Sequence, residues 1–197
     1  MLEFRAMRKT LEIPKPIKID RLTRIARVKG IDIYVHWTVF AIAIIMLINS
    51  VRRPVLTLVG LLSFFTVLLI HEFGHAIAAR QRGQAASYIE IYPIFGKACF
   101  DAPGSRLDHC IIAWGGVVAQ AVVAIPLVIW ILVFGYARFD AVNAVLAILG
   151  AYSLFMALFN LLPIPPLDGA TAWGLFPALI ARRRRSGNSR AAGWRAY

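Results

Sequence analysis

The side chains best suited to chemistry lie at residues 71–75, His-Glu-Phe-Gly-His, which have the pattern HExxH. On a helix, positions four apart share one face, so the imidazoles of His71 and His75 would point at a single place. Glu72 would lie beside them. In this pattern the two histidines bind zinc and the glutamate acts as the general base of a metalloprotease. The motif therefore predicts one zinc ion, held by His71 and His75, with Glu72 as the catalytic residue.

The motif lies late in an apolar stretch, about Val55 to Arg80, that is long enough to cross a membrane. An ionised side chain inside a membrane costs about 3 kcal/mol on insertion scales, so such groups usually serve a function and face the protein interior. Histidines that merely pack in a helix bundle would leave the glutamate unexplained. From His71 to Arg80 is nine residues, which puts the predicted metal roughly 13 Å from the helix end.

The chain is too apolar for a soluble domain of its size, since its 197 residues are 59% hydrophobic and the mean hydropathy is +0.68. The net charge of +12 would suggest a nucleic acid partner in a soluble protein, but here the basic residues flank apolar runs. That placement favours anionic lipid, and no nucleic acid partner is expected.

Cys99 and Cys110 form no CxxC pair and are interpreted as reduced thiols. The amino terminus lacks the pattern of a removable signal peptide.

Four apolar stretches predict four membrane spans, at about 35–51, 55–80, 111–136 and 141–162. Between the second and third lies the β-prone segment Ser87–Phe100, broken by Pro93 and Gly96. It predicts a short hairpin at the interface or, equally, an amphipathic surface loop. The predicted fold class is an all-α polytopic membrane protein, with about four transmembrane helices and a small interfacial β-hairpin between the second and third.

The basic residues divide the chain into three parts. Residues 1–30 are predicted to form a basic cytoplasmic arm, residues 31–181 a transmembrane metalloprotease domain, and residues 182–197 a basic tail. With four spans, every Lys and Arg except Arg52, Arg53 and Arg138 lies on the side of the two termini. Basic residues concentrate on cytoplasmic loops, so both termini are expected in the cytoplasm. The expected location is the inner membrane of a bacterium, as a multi-pass integral protein.

The fourth span ends in residues 160–169, NLLPIPPLDG. Its three prolines stop a helix and leave extended backbone. At membrane depth such backbone is tolerated only where it is buried in protein or lines a wet cavity. Asp168 is thus carried on a loop that can fold back toward the histidines. Asn160 either contacts the backbone of a substrate or caps the end of the helix.

These two motifs, HEFGH at 71–75 and NLLPIPPLDG at 160–169, resemble those of the site-2 protease family of intramembrane zinc metalloproteases, peptidase family M50. The resemblance covers about residues 55–169. It implies a core of three spans, one zinc ion held by His71, His75 and Asp168, and Glu72 as the base of a zinc metalloendopeptidase. It also implies cleavage of transmembrane substrate proteins in or beside the bilayer, which is regulated intramembrane proteolysis. The segment Ser87–Phe100 occupies the place of a membrane-associated sheet that engages substrate in the family.

The third span departs from the family pattern. Where members of the family commonly show GPxxN, this chain has GVVAQ at residues 116–120. Gln120 keeps the carboxamide but is one methylene longer, and Val117 lacks the bend of proline. The resemblance implies substrate binding by Gly116 and Gln120, and a hydrogen bond between helices is the alternative role for Gln120.

Two other functions are considered. The departures at Val117 and Gln120 leave open a proteolytically idle, metal-binding homologue that acts as a subunit or regulator of a membrane complex. A small metal transporter would need polar residues along several spans, whereas the first span offers only His36 and Asn49. For His36, beside Trp37, a place at the membrane interface is more typical than metal ligation. The expected partners are single-span membrane proteins as substrates and the lipid bilayer, and both a homo-oligomer and a larger membrane complex remain open.

Overall fold

The structure, a computed structural model, describes residues 22–181. The predicted tail and most of the predicted arm, residues 1–21, lie outside the described residues. The described part is mostly helical and contains one small sheet. Its elements, in chain order, are β1 (Leu22–Val28), β2 (Ile31–His36), α1 (Trp37–Asn49), α2 (Pro54–Gln81), β3 (Ala86–Ile91), β4 (Gly96–Phe100), α3 (Arg106–Phe134), α4 (Asp140–Asn160) and α5 (Gly169–Ala181). Within α4, residues Leu146–Tyr152 are π-helical.

Three described helices are long and apolar enough to cross a membrane, namely α2, α3 and α4. The predicted count of about four spanning helices is not confirmed in residues 22–181, because α1 has only 13 residues and extends about 20 Å. Val35 and His36, which the prediction gave to the first span, instead belong to β2. Strand β2 and helix α1 run consecutively, and together they extend about 40 Å, nearly the length of α2. A strand and a short helix thus cover the distance expected of one helix.

Polar contacts show which ends of the helices lie together. The turn between α1 and α2 meets the start of α4, where Arg53 Nη1 donates to Asp140 Oδ2 at 3.0 Å. At the other end of α2, Arg80 Nη1 donates to Lys29 O at 2.6 Å, and Arg82 pairs with Asp108 near the start of α3. The first end carries Arg53, one of the three basic residues that the charge pattern assigned to the side opposite the termini.

The four strands form a single sheet in the order β1-β2-β3-β4. The outer pairs are antiparallel, whereas β2 and β3 are parallel. A parallel pair requires a crossover connection, which the two helices α1 and α2 supply here. Strands β3 and β4 lie between α2 and α3, where the sequence favoured a hairpin or a loop, but they are half of a larger sheet. Strand β1 falls within the segment assigned to the arm, and its pairing with β2 depends on tertiary contacts.

The sheet packs on α2 through side chains that alternate along its strands, because every second residue of a strand points to the same face. On α2 these side chains meet Leu68 and Ala76, which flank the HExxH motif. The buried apolar members of the sheet are Ile31, Ile33 and Val35 in β2 and Ala86, Ile89 and Ile91 in β3. The apolar core therefore holds the sheet against the half of α2 that carries the motif.

His36 joins the sheet to the helices. Its Nδ1 lies 2.6 Å from Thr38 Oγ1 and accepts from the Thr38 backbone N–H at the start of α1. Its ring stacks on Tyr92, with 5.4 Å between the ring centroids. These contacts give His36 a structural role at the start of α1.

Candidate metal centre

Helices α2 and α3 cross in backbone contact at Gly74 and Gly115. A Cβ added at Gly115 would lie 2.5 Å from Gly74 O and 2.8 Å from Ala78 Cβ, and one at Gly74 would overlap Gly115 O. Close helix packing through small residues is the usual way for helices to associate within membranes. Because neither glycine has a side chain, α3 lies directly against the face of α2 that carries His71 and His75.

The side chains of His71, His75 and Asp168 converge at this crossing. His71 Nε2 lies 3.1 Å from His75 Nε2, and Asp168 Oδ2 lies 2.9 Å from His71 Nε2 and 3.2 Å from His75 Nε2. Within residues 22–181, these three form the single group of His, Cys, Asp or Glu side chains placed to hold a metal ion. Both histidines are buried, at 8% and 7% exposure.

This donor set fits zinc. Ligand atoms that are about 3 Å apart leave a point about 2 Å from each of them, which is the usual Zn–N and Zn–O distance. Two imidazole nitrogens and one carboxylate oxygen are common zinc ligands, and three protein ligands leave a fourth position for water or substrate. The three side chains line the same cavity as Glu72. The arrangement is therefore typical of a catalytic zinc site.

Helix α3 holds the other nitrogen of each imidazole. His75 Nδ1 lies 2.8 Å from Ile112 O, and His71 Nδ1 lies 2.9 Å from Gln120 Oε1. A carbonyl oxygen only accepts hydrogen bonds, so each Nδ1 carries the proton and each Nε2 presents a lone pair. The neutral tautomer with a free Nε2 is the one that binds a metal through that atom.

Gly116 lies between these two contacts and makes room for the rings. A Cβ added there would lie 2.6 Å from His75 Nε2 and 2.7 Å from His71 Cε1. Of the residues assigned to substrate binding, Gly116 and Gln120 therefore contact the two histidines, and Asn160 lines the cavity.

Asp168 is positioned by a loop that closes on itself and on α3. A Cβ at Gly169 would overlap the carbonyl oxygens of Leu161 and Leu162. Trp173 Nε1 donates to Leu161 O at 2.6 Å, and from α3 Trp114 Nε1 donates to Ala172 O at 2.9 Å. The proline-rich segment thus folds back toward the histidines, as the sequence predicted.

The Asp168 carboxyl is held in its charged form. Partial burial raises the pKa of Asp168, but the adjacent imidazoles of His71 and His75 lower it by more, so this pKa lies well below its usual range. The group is a carboxylate at neutral pH, which is the form that binds a metal ion.

Glu72 lies beneath strand β4. It is buried, and a Cβ added at Gly96 would lie 2.5 Å from Glu72 Cγ and 2.7 Å from Glu72 Oε1. The backbone N–H of Ala98 interacts with the Glu72 carboxylate. Because β4 is the last strand of the sheet, an edge strand passes directly over the predicted base.

Three of these neighbours could not be identified as site residues from the sequence. Ile112 and Ala98 act through backbone atoms, which every residue has, so their side chains gave no signal. Gly96 was noted only as a break in a β-prone segment, although its contact with Glu72 requires the absence of a side chain.

A cavity of about 690 Å³ connects these parts. Its walls come from α2, β4, the end of α4 and the loop that carries Asp168, and it contains His71, Glu72 and Asn160. The cavity is large enough to hold several residues of an extended peptide beside the predicted metal site.

Comparisons with known proteins agree with this geometry. Residues 126–196 match the model of peptidase family M50, a segment that contains Asp168 and begins after the HExxH motif. No curated protein sequence matches the chain.

Among solved structures, the site-2 protease from Methanocaldococcus jannaschii superposes with a TM-score of 0.57 at 23% sequence identity. The match covers 82% of this chain and 72% of that chain. The shared fold and the three apolar helices support an integral membrane protein. The chain thus has the fold of a site-2 protease, and with the family M50 match this confirms the predicted resemblance to the site-2 protease family.

Proposed function

We propose that this protein is an intramembrane zinc metalloendopeptidase that hydrolyses peptide bonds in single-span membrane proteins. The observation that carries the proposal is the convergence of His71 Nε2, His75 Nε2 and Asp168 Oδ2 beside the buried Glu72. All four side chains line one cavity between helices of spanning length.

A zinc ion held by His71, His75 and Asp168 would supply Lewis-acid chemistry and a water of lowered pKa. Glu72 is the base in this proposal. Its carboxylate takes a proton from the attacking water and returns it to the nitrogen of the leaving amine. The contacts of Glu72 with Gly96 and Ala98 hold that carboxylate in one orientation, which preserves its proton-transfer geometry.

Strand β4 is the proposed binding site for the substrate backbone. A transmembrane helix hides its peptide bonds in internal hydrogen bonds, so the substrate must unwind before cleavage. An edge strand offers unpaired N–H and C=O groups to which an extended peptide can add. Because β4 passes over Glu72, a peptide paired with it would run through the cavity that Asn160 also lines.

The proposal also includes the orientation in the membrane. Lys29, Arg80 and Arg82 lie at one end of α2, and Arg53 lies at the other. Following the charge distribution of cytoplasmic loops, the end with Arg80 faces the cytoplasm, in the inner membrane of a bacterium.

The test combines metal analysis with a Glu72→Gln variant. The purified protein is reconstituted in liposomes with a panel of single-span membrane proteins, and cleavage is followed by gel electrophoresis. We expect one zinc ion per chain in both proteins and a rate at least 100-fold lower in the variant, since general base catalysis contributes factors of that size.

The matched control is Asp140→Asn, which also replaces a carboxylate by an amide but at an exposed ion pair with Arg53. It should cleave like the unmodified protein. If Glu72→Gln cleaved at the unmodified rate, or if no member of the panel were cleaved by the zinc-loaded protein, the peptidase proposal would be wrong and a metal-binding regulator would replace it.

A further inference from the structure

The two histidines are supported differently by α3. His75 Nδ1 donates to a backbone carbonyl, Ile112 O, which stays in place whatever the side chain of residue 112 is. His71 Nδ1 donates to a side chain, Gln120 Oε1. Of the two imidazoles, His71 is therefore the one whose orientation depends on the identity of a single residue.

The side chain of Gln120 is buried in the protein interior. Its exposure is 1%, and it lies on an apolar helix of spanning length. A buried amide without a hydrogen bond is strongly unfavourable, so its contact with His71 stabilises both groups. The carboxamide lies one helical turn beyond Gly116, which contacts both rings. Ile112, Gly116 and Gln120 are thus spaced at four residues and form a continuous support behind the two rings.

The reach of the side chain matters for this contact. Asparagine at position 120 would end one methylene earlier, which withdraws the amide oxygen by more than 1 Å from a hydrogen bond that is 2.9 Å long. Glutamine here is therefore matched to the distance between the α3 backbone and His71. This distance accounts for Gln120 at a position where the family pattern has asparagine.

We propose that Gln120 is a positioning residue for a metal ligand: it accepts the Nδ1–H of His71, which fixes the tautomer with a free Nε2 and aims that nitrogen at His75 and Asp168. This inference rests on the proposed metal site but assigns Gln120 a role other than substrate binding. Partners of this kind typically contribute 10- to 100-fold to metal affinity.

The experiment measures zinc affinity by competition with a chromophoric chelator, together with the visible spectrum of the cobalt-loaded protein. Gln120→Leu keeps the volume but removes the acceptor, and should weaken zinc binding by 10- to 100-fold and alter the cobalt spectrum. Gln120→Asn should weaken binding in the same direction. Gln120→Glu keeps an acceptor oxygen at the same reach and should restore affinity to within a few-fold of the unmodified protein.

The matched control is Gln81→Leu, which removes the same amide from an exposed position at the end of α2. It should bind zinc like the unmodified protein. If Gln120→Leu does not fold, the comparison of the Asn and Glu variants decides the question, because only the Glu variant should retain affinity.

The outcomes separate this inference from the proposed function. If the unmodified protein binds no zinc, the proposed function fails. If it binds zinc and the Gln120 variants bind equally tightly, the positioning role is wrong. Unchanged zinc affinity with a raised KM at saturating zinc would overturn the inference in favour of a substrate contact, and a loss of metal-free stability alone would overturn it in favour of packing.

Discussion

Helix α2 packs against the sheet and against α3 in opposite ways. On the sheet side, branched side chains such as Ile33 and Ile89 pack against Leu68. On the α3 side, the backbones themselves touch at Gly74 and Gly115. The sheet side therefore has the composition of an ordinary hydrophobic core, whereas the α3 side has no side chains at its closest point.

This difference determines how each side responds to change. A hydrophobic core loses stability when a methylene is removed, but neighbouring side chains adjust and the backbone stays close to its position. A backbone contact between glycines has no atoms that can rotate away, so an added methyl group must move a whole helix. The partners of both imidazoles lie on α3, and we expect the metal geometry to depend on the α3 side far more than on the sheet side.

The largest effect is expected for Gly115→Ala. The new Cβ would lie 2.5 Å from Gly74 O and 2.8 Å from Ala78 Cβ, so α3 must shift and the hydrogen bonds to His71 and His75 lengthen. We predict zinc binding at least 100-fold weaker, measured by chelator competition. Gly60→Ala is the control on α2, since its Cβ would meet only Ile148 Cδ1 at 3.8 Å. Equal zinc affinity in the two variants would show that the contact between Gly74 and Gly115 does not determine the metal geometry.

Gly96→Ala tests a tight contact between the sheet and Glu72. Its Cβ would lie 2.5 Å from Glu72 Cγ, so the carboxylate must move while the three proposed zinc ligands stay in place. We predict a 10- to 100-fold lower cleavage rate with unchanged zinc affinity, because misplaced catalytic groups lose rate steeply. Gly104→Ala is the control, with its nearest atom at 3.8 Å. An accompanying loss of zinc affinity would contradict the prediction that this sheet contact affects cleavage without affecting metal binding.

A smaller effect is expected for Trp173→Phe. The change removes the hydrogen bond from Trp173 Nε1 to Leu161 O, which is 2.6 Å long and helps to close the loop that carries Asp168. A net loss of about 1 kcal/mol would weaken zinc binding about fivefold. Trp130→Phe, at a half-exposed position on α3, should leave the affinity unchanged. An unaltered affinity in Trp173→Phe would show that the loop is held by its other contacts.

The smallest effect on zinc is expected for Ile89→Val on the sheet side. Ile89 is fully buried, and losing one methyl group should lower the free energy of unfolding by about 1 kcal/mol. Thermal unfolding should detect this loss while chelator competition finds the same zinc affinity. A change in affinity as large as that of Trp173→Phe would mean that the sheet side also determines the metal geometry.

Local patterns predicted the parts of the molecule that depend on neighbours in sequence. Apolar runs identified α2, α3 and α4, and the prolines before Asp168 indicated a loop that folds back. The sheet was predicted only in part. Strand β1 gave no signal because its pairing with β2 stabilises it. The first span is not confirmed as a spanning helix, because its apolar residues are divided between strand β2 and the 13-residue helix α1.

The sequence alone determined the chemistry of the proposed site. The four-residue spacing of His71 and His75 places two imidazoles on one helix face, which is a consequence of local helix geometry. The tertiary structure decided how these rings are supported, through a glycine crossing, a backbone carbonyl and the amide of Gln120. These contacts join segments that are distant along the chain, and they depend on how closely two helices approach, a distance that no periodicity within either helix encodes.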